Sequence, residues 1–198
     1  MNNQTKTIEY YNQNAQSFVD TTLNVEFHHM QDKFLSKLNK GDLILDFGCG
    51  SGRDTKYFIE QGFYVDAIDG SEELCRLVKE NFGIEVKHMY FQDLCEVNKY
   101  DGIWACSSIL HLDLNDLVDV MNKMDKALKQ GGVIYTSFKY GTFSGERNGR
   151  YFTDMNEERF MALLDKTHNL VLEEQWITSD VRPGREEEKW FNVILRKK

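Results

Sequence analysis

The sequence predicts an α/β protein: a doubly wound, mostly parallel sheet of seven strands, with an antiparallel last strand and helices on both faces. Three observations carry this. Short apolar runs alternate with amphipathic stretches, the order that produces parallel strands joined by crossover helices. The first apolar run ends in a glycine turn, LILDFGCGSG, that leads directly into a helical stretch. Strand, glycine turn and helix open a nucleotide-binding sheet, so the fold is Rossmann-like. The last two strand-like runs are separated only by a charged loop around Pro183-Gly184, which makes them a hairpin and reverses the final strand.

The elements follow in order. Over 5–21, Ile8, Tyr11, Ala15 and Phe18 recur at helical spacing, which predicts an amphipathic helix. A second helix is expected over 24–38, with Phe27, Met30, Phe34, Leu35 and Leu38 as its stripe. His28 and His29 within it point about 100° apart and read as surface or packing residues. Leu43, Ile44, Leu45 and Phe47 form the first strand, and the helix after the glycine turn ends at Gly62. Strand two spans 63–68. Ser71, with Glu72 and Glu73, caps a helix over 72–81. Strands three and four are expected over 85–90 and 100–106. A helix over 114–129 carries Lys126 and Lys129 in its last turn and stops at Gln130-Gly131-Gly132. Strand five is 133–138. The segment 139–154 is too polar and glycine-rich for core and reads as an irregular lid. A helix over 156–167, a strand over 170–179, a charged loop and a last strand over 190–196 complete one domain. It divides into a helical lid (1–40), a cofactor-binding core (41–138) and a substrate-side lid with the terminal strands (139–198).

Composition narrows the partners. Lys and Arg number 24 against 32 Asp and Glu, a net charge of −8, which opposes long nucleic acid because that affinity rests on phosphate neutralisation. Four cysteines, Cys49, Cys75, Cys95 and Cys106, stand without a CxxC pair, so neither a disulfide framework nor a metal site is expected. No apolar run is long enough to span a bilayer and the first ten residues are polar, so a cytoplasmic protein is expected. Oligomeric state is not legible.

The glycine spacing selects the ligand. A dinucleotide fingerprint leaves two residues between its second and third glycines; here Arg53 holds that third place and Gly52 comes one residue early. Asp46, before the first glycine, repels phosphate and suits an ammonium group. About 20 residues on, Asp69 ends strand two, where an acid accepts hydrogen bonds from ribose hydroxyls. Gly70 and Ser71 share its turn.

The turn D-x-G-x-G-x-G (Asp46, Gly48, Gly50, Gly52, with Cys49 between) resembles the glycine motif of class I S-adenosylmethionine (SAM) dependent methyltransferases. The resemblance covers about 10–138. It implies SAM as cofactor and S-adenosylhomocysteine (SAH) as product, with the acid serving the amino-acid end and the glycines under ribose and methionine. YYNQNAQSF is similar to a helix in which a tyrosine, Tyr10 or Tyr11, closes the cofactor pocket. The segment Gln92-Asp93-Leu94 resembles the one that reads adenine, and Asp101 in YDGI resembles a structural acid. Ala105, Cys106 and Ser107 would lie beside the methionine chain, with the crossover opening to substrate at His111. The carboxyl end is similar to small bacterial methyltransferases often labelled tellurite-resistance related.

Methyl transfer is an in-line displacement, so the enzyme mainly aligns the reactants. An oxygen or nitrogen acceptor must lose a proton, and His111 or Tyr140 is the candidate base. Lys139, Arg147, Arg150, Arg182 and Arg185 are the candidate substrate contacts. Two arginine loops in an acidic chain point to capture of a small anionic acceptor, unless they pair with Glu146, Glu157, Glu158 and Glu186–Glu188. The expected function is a SAM-dependent methyltransferase of a small acceptor. The alternatives are a tRNA wobble-uridine or quinone-ring methyltransferase, a SAM-binding module without catalysis, and an oxidoreductase on the same sheet.

Overall fold

A computed structural model describes residues 3–198. Its main sheet has seven strands: β1 (Leu43–Phe47), β2 (Tyr64–Asp69), β3 (Val86–His88), β4 (Tyr100–Ala105), β5 (Leu128–Lys139), β8 (Leu170–Ser179) and β9 (Lys189–Lys197). Their order is β3-β2-β1-β4-β5-β9-β8. The first five are mutually parallel, and β9 is antiparallel to both its neighbours. The strand order reverses between β1 and β4, and the crevice outside their carboxyl ends is where such sheets bind ligands.

Side-chain alternation along the strands builds a core on each face. Leu45, Ile103 and Ile134 pack with Leu117, Met121 and Met124 of α5 (Leu114–Ala127) and Phe160 of α6 (Glu157–Leu164). Ile44, Trp104 and Tyr135 face the other way, onto Phe34 of α2 (His28–Leu35) and Phe58 of α3 (Arg53–Glu60). Trp104 and Tyr135 stack with centroids 4.1 Å apart. Each fully buried apolar side chain of this size contributes about 1.5–3 kcal/mol relative to exposure.

The first helix, α1 (Asn3–Thr22), buries Ala15 and Val19 against Leu74 and Leu77 of α4 (Glu72–Phe82). Asn14 breaks it, with φ −115° and ψ 15°, and its amide donates to the Tyr10 carbonyl at 2.8 Å. Asp101 proves structural: it accepts from the Leu43 N–H at 2.9 Å and from Lys129 at 2.7 Å.

Three elements differ from expectation. α2 covers only the middle of its expected span: Phe27, at its start, packs on Trp104 and under Arg53 instead of entering the helix. β5 begins at Leu128, because 128–132 stays on the sheet edge through a register shift between Tyr100 and Gly102, with Gly131 at φ +77°. The segment expected as an irregular lid forms a hairpin, β6 (Ser144–Arg147) with β7 (Arg150–Thr153). Its turn residues, Asn148 and Gly149, both have positive φ, the combination a two-residue hairpin turn requires.

Candidate active site

The site begins where β1 ends. Gly48 has φ +91°, and a Cβ there would lie 2.6 Å from the Cβ of Ser108, so only glycine fits. The Gly50 N–H donates to Asp69 Oδ2 at 2.9 Å, and the Ser71 N–H donates to Asp69 Oδ1 at 2.8 Å. One carboxylate at the end of β2 thus fixes both turns. Burial pushes the Asp69 carboxyl above its usual range, and the two backbone donors oppose that shift. Ser71 Oγ accepts from the Leu74 N–H, capping α4, and donates to Asn12 of α1 at 2.6 Å.

Above this turn lies a cavity of about 230 Å³. Gly48, Cys49, Gly50 and Asp69 form its floor; Ile8, Tyr11 and Phe18 of α1 form its roof. Met89, Tyr90 and Phe91 close one end, and Arg53 and Asp54 another. The side over β4, β5 and β9 is made by Ser107, Ser137, Lys139, Trp190 and Asn192, with Phe152 and Arg150 of the hairpin and Arg182 and Arg185 of the loop before β9.

The structure brings Tyr11, Gly48, Cys49, Gly50, Asp69, Gly70, Ser107, His111, Lys139, Arg150, Arg182 and Arg185 to this cavity. It leaves others outside. Asp46 is buried beneath the turn and accepts from Thr55 Oγ1 at 2.5 Å; burial and neighbouring Asp54 push its carboxyl up to about 8. The acid at that end of the cavity is Asp54 instead, held by Arg53 Nε (2.7 Å), Gln31 (2.7 Å) and Trp104 Nε1 (2.8 Å). Asp93 is exposed, Leu94 is in the core, and Gln92 bonds Gln4 at 2.8 Å; the cavity wall uses the preceding residues, Met89 to Phe91. Gly52 starts α3, and Ser71 works behind Asp69. Tyr140 is 41% exposed and bonds Glu157 at 3.2 Å, away from the cavity, so it is no base for chemistry there.

His111 Nδ1 lies 2.7 Å from the Tyr151 carbonyl and must carry its proton there, since a carbonyl only accepts. Nε2 therefore accepts from the Tyr11 hydroxyl, 2.8 Å away. Burial lowers the His111 pKa to about 4, so the ring is neutral near pH 7. Burial pushes the Cys106 thiol up to about 12.

The arginines separate. Arg147 pairs with Asp154 outside the cavity. Arg182 pairs with Asp180 and Arg185 with Glu188, while Lys139 joins Glu188 and Asp180. Of the expected partners only Glu188 is used; Glu146 takes Lys6 at 3.0 Å. These bonds hold the Asp180 carboxyl well below its usual range and Glu188 at about 2. Arg150 has no acidic partner among the described residues. Arg53, Lys139, Arg150, Arg182 and Arg185 face the cavity, and all but Arg150 are paired there with Asp54, Asp180 or Glu188. Asp54, Trp190 and Asn192 were missed as site residues. Only Asp54 carried a signal, its place two residues after the last glycine.

The sheet order and the glycine turn pinned by the acid at the end of β2 are those of a class I methyltransferase fold. Residues 44–132 match the family model described as a methyltransferase domain. An uncharacterized methyltransferase of Alkaliphilus oremlandii is 29% identical over 134 residues, 67% of this chain and 56% of that protein. The chain spans about half or less of the length of the curated relatives it matches. Among solved structures, the 1,6-didemethyltoxoflavin N1-methyltransferase of Burkholderia thailandensis, described with its substrate and SAH bound, has a TM-score of 0.75 at 19% identity, covering 96% of this chain and 84% of that one. A SAM-dependent methyltransferase of Methanosarcina mazei has a TM-score of 0.74 at 16% identity, covering 87% and 99%. Likeness at these identities establishes the fold.

Proposed function

We propose that the chain transfers a methyl group from SAM to a small, anionic acceptor in the cytoplasm. The observation that carries the reading is the cradle at the carboxyl ends of β1 and β2, where Gly48 lets the turn pack against Ser108 and Phe91 and Asp69 pins Gly50 and Ser71 beneath the cavity. These residues fit SAM: the remaining lone pairs of Asp69 suit ribose hydroxyls, and Arg53 beside Asp54 suits the amino-acid end. When bound, SAM supplies a methyl group already activated on a sulfonium.

The chain's own contribution is alignment. Tyr11 and Phe18 line the cavity from the side of α1. His111, neutral and already accepting from Tyr11, holds its pKa at about 4 and is a weak base. That favours an acceptor whose nucleophilic atom needs no strong base, and the unpaired Arg150 favours one that arrives as an anion. Among the described residues no helix is long and apolar enough to cross a membrane.

Calorimetric titration of folded, ligand-free protein with SAM, SAH and NAD tests the cofactor, and label transfer from methyl-labelled SAM to a panel of small organic acids and their amides tests the reaction. Micromolar binding of SAM and SAH without NAD, and labelling of acids over amides, is expected. Absence of SAM and SAH binding overturns the reading.

A further inference from the structure

We infer that Arg150 anchors the acceptor's anionic group and that this group is a single planar carboxylate; the inference rests on the methyltransferase reading and narrows it to one residue and one functional group. Four cations stand on the acceptor side of the cavity, and the fold neutralises three. Arg182 reaches Asp180 with Nε at 2.9 Å and Nη2 at 2.5 Å. Arg185 reaches Glu188 with Nε at 2.5 Å and Nη2 at 2.9 Å. Lys139 pairs with Glu188 and lies 3.6 Å from Asp180. Their charges are used inside the protein.

Arg150 is the exception. Among the described residues no carboxylate lies at ion-pair distance from it. Its one hydrogen bond runs from Nη1 to the Tyr11 hydroxyl at 3.4 Å. Nε is sealed from solvent and has no partner. Aromatic rings hold the guanidinium instead: Tyr10 at 4.5 Å, Phe152 at 5.2 Å and Tyr11 at 5.7 Å. With Nε sealed, what Arg150 presents to the cavity is its terminal Nη edge.

A partly buried cation without a counter-charge is costly, and ring faces compensate it only in part. A carboxylate on the Nη edge forms two parallel, charge-assisted bonds and supplies the missing charge. One unpaired guanidinium matches one negative charge, and its planar fork matches a planar anion better than a tetrahedral one. The site is also fixed in advance. The neighbouring Tyr151 carbonyl is tied to His111 at 2.7 Å, and its N–H donates to Thr7 of α1 at 3.1 Å. The backbone that carries Arg150 is therefore anchored before any ligand arrives.

The test uses the SAH-loaded protein, titrated calorimetrically with benzoate, benzamide and inorganic phosphate. Benzoate should bind at least about tenfold more tightly than benzamide, as a charge-assisted pair requires. Arg150→Met should erase that preference while SAH affinity stays within about threefold, since the charge lost is on the acceptor side. Arg147→Met, on the same hairpin but outside the cavity, should keep the preference. Arg150→Lys, which keeps the charge but loses the fork, should weaken benzoate by an intermediate factor and serves if the methionine variant does not fold. The proposal is overturned if benzoate and benzamide bind SAH-loaded protein alike or not at all, if Arg150→Met or Arg150→Lys retains the full preference, or if phosphate outcompetes benzoate. Failure of wild type to bind SAH removes the methyltransferase reading itself and is seen separately.

Discussion

Replacing Asp69 by alanine separates two jobs that its carboxylate does at once. Within the protein it accepts from the Gly50 and Ser71 N–H groups at 2.9 and 2.8 Å, in a site where Asp69 itself is only 8% exposed. Leaving two buried donors unpaired costs about 1–3 kcal/mol each, less what is recovered by no longer burying a charge, so a net loss of about 2–4 kcal/mol in stability is expected. Towards ligand, two ribose hydroxyls on a carboxylate are worth about 1.5–3 kcal/mol each, which weakens SAH by a factor on the order of 10² to 10⁴. Asp69→Asn is the more searching variant. Its one remaining oxygen can take only one backbone N–H, while its amide meets the other donor head-on. Its stability loss should therefore approach that of alanine despite the matching shape. Urea unfolding measures the first quantity and calorimetry of SAH on folded protein the second. A folded Asp69→Ala that binds SAH within about threefold of wild type would refute the assignment. An asparagine variant as stable as wild type would refute the account of the turn.

Other outcomes follow from the same geometry. Gly48→Ala meets a positive φ and a Cβ 2.6 Å from that of Ser108; it should cost about 2–5 kcal/mol by urea unfolding, and a loss below about 1 kcal/mol would show that the turn relaxes freely. Burial lowers the His111 pKa from 6.5 to about 4, so between these values the unfolded chain binds the extra proton. This contribution to stability is complete above about pH 6.5 and lost as pH falls towards 4. His111→Gln should remove a pH-dependent component on the order of 2–3 kcal/mol from the urea midpoints over that range, and an unchanged profile contradicts the buried neutral ring. Tyr140→Phe should leave turnover within about twofold; a loss of about a hundredfold would restore Tyr140 as a base.

The fold was legible because its signals are local. Leu43 to Phe47, the glycines and Asp69 announce strand, turn and the acid that ends β2 within one short stretch, and the alternation of later runs orders the sheet. What was not legible depends on which way a side chain turns. Asp46 and Asp54 both flank the glycine turn, but strand alternation and the Thr55 hydroxyl draw Asp46 beneath it, while Trp104, 50 residues away, draws Asp54 to the cavity. Asp93 sits in a 3-10 turn whose pitch carries it outward and leaves Met89 to Phe91 at the wall. The hairpin at 144–153 was hidden because its strands are short and mostly polar, with Phe152 as their one side chain in the main core and Tyr151 tied to Thr7 of α1. The pairing of Arg185 with Glu188 was foreseeable, whereas that of Arg182 with Asp180, two residues before it, was not.

The break at Asn14 divides the first helix into two parts with different moorings. Beyond it, Ala15 and Val19 are set into the apolar surface of α4, and moving them would expose core. Before it, the helix is tied down by separable polar bonds: Thr7 to the hairpin backbone, Lys6 to Glu146, Tyr11 to His111 and Asn12 to Ser71. Traffic into the cavity should then be governed by a door hinged at Asn14 whose catches include the β6–β7 hairpin. Because the hairpin carries the proposed acceptor anchor and the first part of α1 lies over the glycine turn, release of the spent cofactor and exchange of the acceptor should become steps of one opening.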